Sequence, residues 1–257
     1  MGAAVTKRVG QQAWTTPGTY SFPVPMGVSS ICAVCVAGAY GGSSDDGTYG
    51  GSGGNGADLR YINNLPVVPG EILTIEVGAG GAFNQNDAPQ NKAGGQSAIR
   101  RAAVNLVRAY YSGSSTPLGA GPAGGIVGGG SGGTGGSPGA GARAMGGGGG
   151  GAGGYSGAGG QGAFPGITSG AAGAGGGGGG GANNANGGGV GILGEGASGT
   201  ANGGAGSGGV GQRFGGGGGG ASTTDGAFGA QGESGAVRIM WGFGRAFPST
   251  RTADEFV

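Results

Sequence analysis

Histidine is absent from this 257-residue sequence. That removes the commonest metal ligand and the commonest general acid–base from the chemistry open to the chain. Charge is scarce as well. Twelve basic residues stand against 11 acidic ones, which leaves no electrostatic footprint for nucleic acid. The only lysines are Lys7 and Lys92, and no G-x-x-x-x-G-K-[ST] phosphate cradle occurs. No apolar run approaches the ~18 residues of a membrane-spanning helix. The opening MGAAVTKRVG lacks the apolar stretch of a secretory signal. Its match to a myristoylation pattern, through Gly2 and Thr6, is short enough for chance to supply.

Cysteine is limited to Cys32 and Cys35, in SSICAVCVAG. That context is apolar and β-branched, as a strand requires. Residues three apart on a strand face opposite ways, about 10 Å apart, which is too far for a disulfide. With no second pair and no histidine to complete a zinc site, both are expected to be buried, unreactive thiols.

What the chain has is glycine: 80 residues, far above the usual share of about 7%. Its distribution divides the sequence. Residues 1–13 read as an N-terminal arm and 248–257 as a C-terminal tail. Residues 14–111 together with 236–247 read as one β-domain. QQAWTTPGTYSFPVP carries a turn at Pro17-Gly18 between aromatic and β-branched residues. Further strands are expected at 31–37, 59–65, 72–77, 97–101 and 104–110, with a turn at Pro69-Gly70. Alternation places Leu73, Ile75 and Val77 on one face of their strand, and Val237, Ile239 and Trp241 on one face of another. Glycine-rich loops interrupt this domain at 38–56 and 78–96. No segment shows sustained 3.6-residue periodicity, so the domain is expected to be an all-β sandwich.

Residues 112–235 differ. Glycine fills 59 of these 124 positions, large apolar residues 13 and charged residues 5. A structureless loop of this length inside a compact domain is improbable on physical grounds. Collagen needs a strict Gly-X-Y repeat rich in proline, which is missing. The remaining candidate is an inserted bundle of polyglycine-II helices, with about three residues per turn and no internal hydrogen bonds. Their backbone groups must then bond laterally. Enclosed helices need glycine everywhere, as in the runs at 146–151, 175–181 and 215–220. A helix at the bundle rim can read G-G-X, as residues 127–139 do.

Several phrases resemble a family. WTTPGTYSFPVPMGVSSICAVCVAGAYGG looks like the start of glycine-rich domains in bacteriophage tail and fibre proteins, and VVPGEILTIEVGAGG resembles their next hairpin. GAVRIMWGFGRAFPST is similar to a C-terminal phrase of phage virion proteins. The glycine bundle is similar to that of tail-fibre-tip adhesins of T-even-like phages, in which stacked polyglycine helices display host-binding loops. The chain has no clear counterpart of those adhesins' N-terminal attachment domain. The resemblance implies a virion protein made in the host cytoplasm and carried on the phage tail or capsid exterior. Its expected partners are other tail or capsid proteins and a host cell-surface glycan or outer-membrane protein. A trimer is one arrangement on the virion, and no nucleic acid is expected. A decoration protein without receptor binding is the alternative. An ice-binding protein is less favoured, because the threonines are too irregular to form a flat face.

An enzyme is not expected. GAGGAF and similar clusters match G-x-G-x-x-G trivially, and none sits between a strand and a helix. Asp45-Asp46 lacks calcium-loop spacing, and nothing in the spacing of Asp58 and Asp87 marks an acid–base pair. No cofactor or metal is expected. On a rigid platform, recognition belongs to the loops. The candidate contacts are Tyr40, Tyr49, Phe83, Tyr155, Phe164, Phe214 and Phe228, with Asn183, Asn184 and Asn186 as partners for sugar hydroxyls. The alternative role for these aromatics is to plug gaps at helix ends.

Overall fold

The computed structural model describes residues 9–44, 49–83, 93–110, 126–140, 145–164, 169–181, 185–195, 197–200, 214–221 and 229–249. The described chain is all-β and forms two antiparallel sheets. Its strands are β1 (Gly10–Trp14), β2 (Gly18–Pro23), β3 (Ser30–Val36), β4 (Leu59–Pro66), β5 (Ile72–Val77), β6 (Ser97–Arg101), β7 (Val104–Ala109), β8 (Ile126–Gly128) and β9 (Ala236–Trp241). One sheet has the order β1-β9-β3-β4-β8 and the other β2-β5-β6-β7.

The expected strands at 72–77 and 97–101 match β5 and β6, and the other boundaries fall within a residue or so. Three features differ from expectation. β1 begins at Gly10, inside the span read as an arm, because it pairs with β9 along its whole length. β8 lies inside the glycine-rich span and adds to the edge of β4. The turns at Pro17-Gly18 and Pro69-Gly70 do not close hairpins. They carry the chain from β1 to β2 and from β4 to β5, which belong to opposite sheets.

Burial follows side-chain alternation. Between the sheets, Leu73, Ile75 and Val77 of β5 meet Ile31, Ala33 and Cys35 of β3 and Val237 and Ile239 of β9. Trp14 packs edge-on to Phe22 at 5.7 Å, and Trp241 lies 5.8 Å from the same ring. β3 is buried on both faces. Cys32, Val34 and Val36 point the other way, into a second cluster with Leu59, Met240, Ala152, Tyr155, Val190, Ile192, Phe214 and Phe247. Five of those residues, Ala152, Tyr155, Val190, Ile192 and Phe214, come from the glycine-rich span. That span therefore covers the outer face of the five-stranded sheet. The two cysteines are free, buried and on opposite faces. Burial pushes both thiols above their ordinary range.

The connections give the sandwich two unlike ends. β3, β5 and β7 all run out into glycine-rich chain at one end, and β4, β6 and β9 return from it. Backbone bonds tie this end together across the sheets: Gly38 N to Gly95 O at 2.8 Å, Asp58 N to Tyr110 O at 2.9 Å and Gly235 N to Gly78 O at 2.9 Å. The opposite end carries the short connections at 24–29, 67–71 and 102–103.

Candidate functional site

The glycine-rich end is built from backbone. In residues 146–154, every third N–H serves the same neighbour. Gly147, Gly150 and Gly153 donate to the carbonyls of Gly51, Gly54 and Ala57 at 2.8–2.9 Å. Gly148, Gly151 and Gly154 donate to Ala163, Gly160 and Gly157 at 2.8–3.0 Å. Gly149 and Ala152 donate to Ala185 and Gly188 at 2.9–3.0 Å. The carbonyls of this stretch accept from three more stretches, through Gly130, Gly133 and Gly136, through Gly177 and Gly180, and through Gly217 and Gly220. One stretch is thus bonded to six neighbours and makes no bonds of its own along its length.

Such close approach explains the residue type. A Cβ on Gly146 through Gly151, Gly153 or Gly154 would sit 2.0–2.1 Å from a neighbour's backbone. Ala152 is the exception, because its methyl turns into the apolar cluster on the outer face of the sheet. The two other long runs each begin with a turn. Gly175 and Gly215 have φ of +72° and +79°, which a side chain would strain. Along residues 129–140, burial repeats every third position. Ser131, Thr134 and Ser137 are exposed, while Gly130, Gly133, Gly136 and Gly139 are buried. This is the G-G-X pattern of an outer stretch.

Side chains pin that outer stretch in place. Asp58 and Arg60 form a buried ion pair at 2.9 Å. Arg60 Nη1 also donates to Gly130 O at 2.7 Å, and Asp58 Oδ1 accepts from Gly132 N at 3.2 Å. Asn55 Oδ1 accepts from Gly135 N at 2.8 Å. Burial pushes the Asp58 carboxyl above the usual carboxylate range, against the pull of Arg60. Asp58 is therefore engaged in structure. Asp87 and Asp45-Asp46 lie outside the described residues.

The predicted contact residues separate into groups. Tyr155 and Phe214 are core residues, only 3% and 5% exposed. Tyr155 stacks on Phe247 at 5.8 Å, leans on Tyr61 at 5.8 Å and donates its hydroxyl to Gly191 O at 3.2 Å. Burial pushes that hydroxyl well above its ordinary value. Phe214 exchanges backbone bonds with Val190. Both side chains pack as the gap-filling alternative describes, because the apolar outer face of β3 needs a cover. Tyr49 and Phe164 are exposed, and Tyr40 and Phe83 are half-buried. Asn186 is exposed but accepts from Gly219 N through Oδ1 at 2.9 Å. Asn183, Asn184 and Phe228 lie outside the described residues. Asn55, Arg60 and Tyr61 match no motif in the sequence. Polar and aromatic residues flanking a glycine-rich loop were the available signal.

No curated protein matches the chain. The model of a glycine-rich domain matches residues 15–242, which takes in every strand except β1 and the glycine-rich stretches between them. On that match the chain belongs to the glycine-rich domain family.

Proposed function

We propose that this chain is a phage virion protein whose glycine-rich end is a rigid block of polyglycine-II helices displaying host-recognition loops. The observation that carries the reading is the three-residue periodicity of lateral hydrogen bonds to six neighbours. Three residues per turn without internal bonds is the geometry of that helix. A block held by backbone bonds in all directions is a stiff support, and loops on stiff supports suit recognition. The phrases WTTPGTYSFPVP and GAVRIMWGFGRAFPST, which resemble phage tail and virion proteins, support the virion setting. Among the described residues, Tyr49 and Phe164 are the exposed aromatics of this end and the first candidates for contact with a glycan or outer-membrane protein.

The second reading is a tail or capsid decoration protein without a receptor. The burial of Tyr155 and Phe214 favours it, since two of the expected contacts serve packing instead. One experiment separates the two. Purified chain is incubated with host cells, and adsorption is measured for wild type, Tyr49→Ala and Phe164→Ala. Saturable adsorption weakened by either change supports the adhesin. No adsorption of native wild type, together with its location on intact virions by electron microscopy, supports decoration. Absence from the virion overturns both.

A further inference from the structure

A cleft of about 510 Å³ opens at the end of the sandwich away from the glycine. Residues 27–30 before and at the start of β3, Asn64 near the end of β4 and residues 242–246 after β9 line it. Local irregularities create it. Two residues of β4, Asn63 and Asn64, oppose the single Cys32 of β3. This bulge puts Asn64 in the left-handed region, at φ 55°. Gly242 and Gly244, at φ 118° and 78°, turn the chain back after β9. The returning segment is then fixed from below. Asn63 Nδ2 donates to Phe247 O at 2.7 Å, Phe247 N donates to Asn63 Oδ1 at 2.9 Å, and Cys32 Sγ donates to Arg245 O at 3.2 Å.

Arg245 lines this cleft and carries a charge that no carboxylate among the described residues answers. Arg245 is 91% buried, being 9% exposed. Its guanidinium donates to Gly10 O at 3.0 Å. Among the described residues, ion pairs join Asp58 to Arg60, Glu76 to Arg100 and Glu71 to Arg101, and none reaches Arg245. A buried guanidinium carries five donors and calls for a carboxylate or comparable anion. Beside it, Phe243 is 83% exposed. Elsewhere at this end Met26, Val68, Ile72 and Val104 are each more than 60% exposed. Among the described residues, five of the seven exposed large apolar side chains thus lie here rather than on the glycine block. Large exposed apolar groups beside a polar anchor mark interaction surfaces.

We propose that this cleft is a docking site for an acidic peptide segment of a partner protein. A carboxylate would pair with Arg245, and a neighbouring apolar side chain would lie against Phe243. Asn64, Ser29 and Ser30 stand at the rim, where they can bond the peptide backbone. The site is independent of what the glycine block binds.

The test titrates full-length protein with 3-phenylpropanoate, following amide NMR shifts, with 3-phenylpropanamide as the uncharged control. The carboxylate is expected to shift Asn64, Gly242 and Gly244 saturably and the amide not to. Arg245→Gln should weaken binding about ten- to a hundredfold, the range expected for a bond to a charged group, while Arg245→Lys retains part of it. Phe243→Ala, at a position too exposed to matter for folding, should weaken it several-fold and guards against misfolding of the Arg245 variants. Equal binding of acid and amide, shifts elsewhere, or no effect of Phe243→Ala together with Arg245→Gln overturns the proposal. So does binding that appears only in Asp254→Asn with Glu255→Gln, which would make the chain's own acidic residues the occupant.

Discussion

Replacing Gly150 by valine tests whether backbone packing holds the glycine-rich end. Gly150 N donates to Gly54 O at 2.8 Å, and Gly150 O accepts from Gly217 N at 2.9 Å. A Cβ there would stand 2.0 Å from Gly133 O, 2.6 Å from Gly133 C and 2.9 Å from Gly56 N. Ordinary contact begins near 3.4 Å, so the stretch around Gly133 must retreat by more than an ångström. Such a shift breaks hydrogen bonds of normal length. Those at risk run from Gly56 to Gly133, Gly133 to Gly151, Gly53 to Gly136 and Gly136 to Gly148. Four bonds at ~0.5–1.5 kcal/mol each amount to about 2–6 kcal/mol. For a chain of this size, a loss near 3 kcal/mol lowers Tm by roughly 6–12 °C. Thr134→Ala on the exposed row of the outer stretch is the control, expected within about 0.5 kcal/mol of wild type. Calorimetry reads both. Equal melting of Gly150→Val and wild type, with unchanged amide exchange at Gly54 and Gly133, would refute the packing argument.

Tyr155→Ala should destabilise the protein by about 3–5 kcal/mol, the cost of removing a buried aromatic, as measured by urea unfolding. Tyr49→Ala and Phe164→Ala should leave Tm unchanged, so any loss of adsorption in those variants reports contact rather than folding. Thiol titration of denatured protein without reductant should find both Cys32 and Cys35 free; neither reacting would overturn their placement on opposite faces. Arg101 holds the Glu71 carboxyl below its ordinary value of 4.5. Its contribution to stability is therefore present above that pH and lost as the pH falls through the lowered value. The stability difference between wild type and Glu71→Gln should shrink on acidification, and a difference that grows would contradict the pairing.

The strands were largely legible because alternation and turn residues are local signals. Ile72–Val77 and Ser97–Arg101 could be bounded from sequence alone. Sheet membership could not. A Pro-Gly step looks alike whether it closes a hairpin or crosses between sheets, and only the partner strand decides. β8 was invisible because three residues in a glycine-rich context carry no periodicity. Tyr155 and Phe214 were ambiguous for a related reason: a lone aromatic among glycines reads the same as plug or as contact. The missing clue lay in β3. SICAVCV is apolar on both faces, which requires a second cover, and the aromatics of the glycine-rich span provide it. The exposed row at Ser131, Thr134 and Ser137 is spelled out by the G-G-X repeat of residues 127–139, although the first two residues of that span belong to β8.

The three-residue rhythm of residues 146–154 also governs how this chain can change length over generations. Removing one residue from such a stretch rotates every later N–H away from its own neighbour and toward another. All downstream bonds are then misdirected at once, much as a one-residue slip inverts a strand. Removing or adding three residues keeps each N–H facing its partner and merely shortens or extends the block. Viable insertions and deletions in these stretches should therefore come in threes, while the loops joining them can vary by any number. The block would inherit its size in steps of three residues.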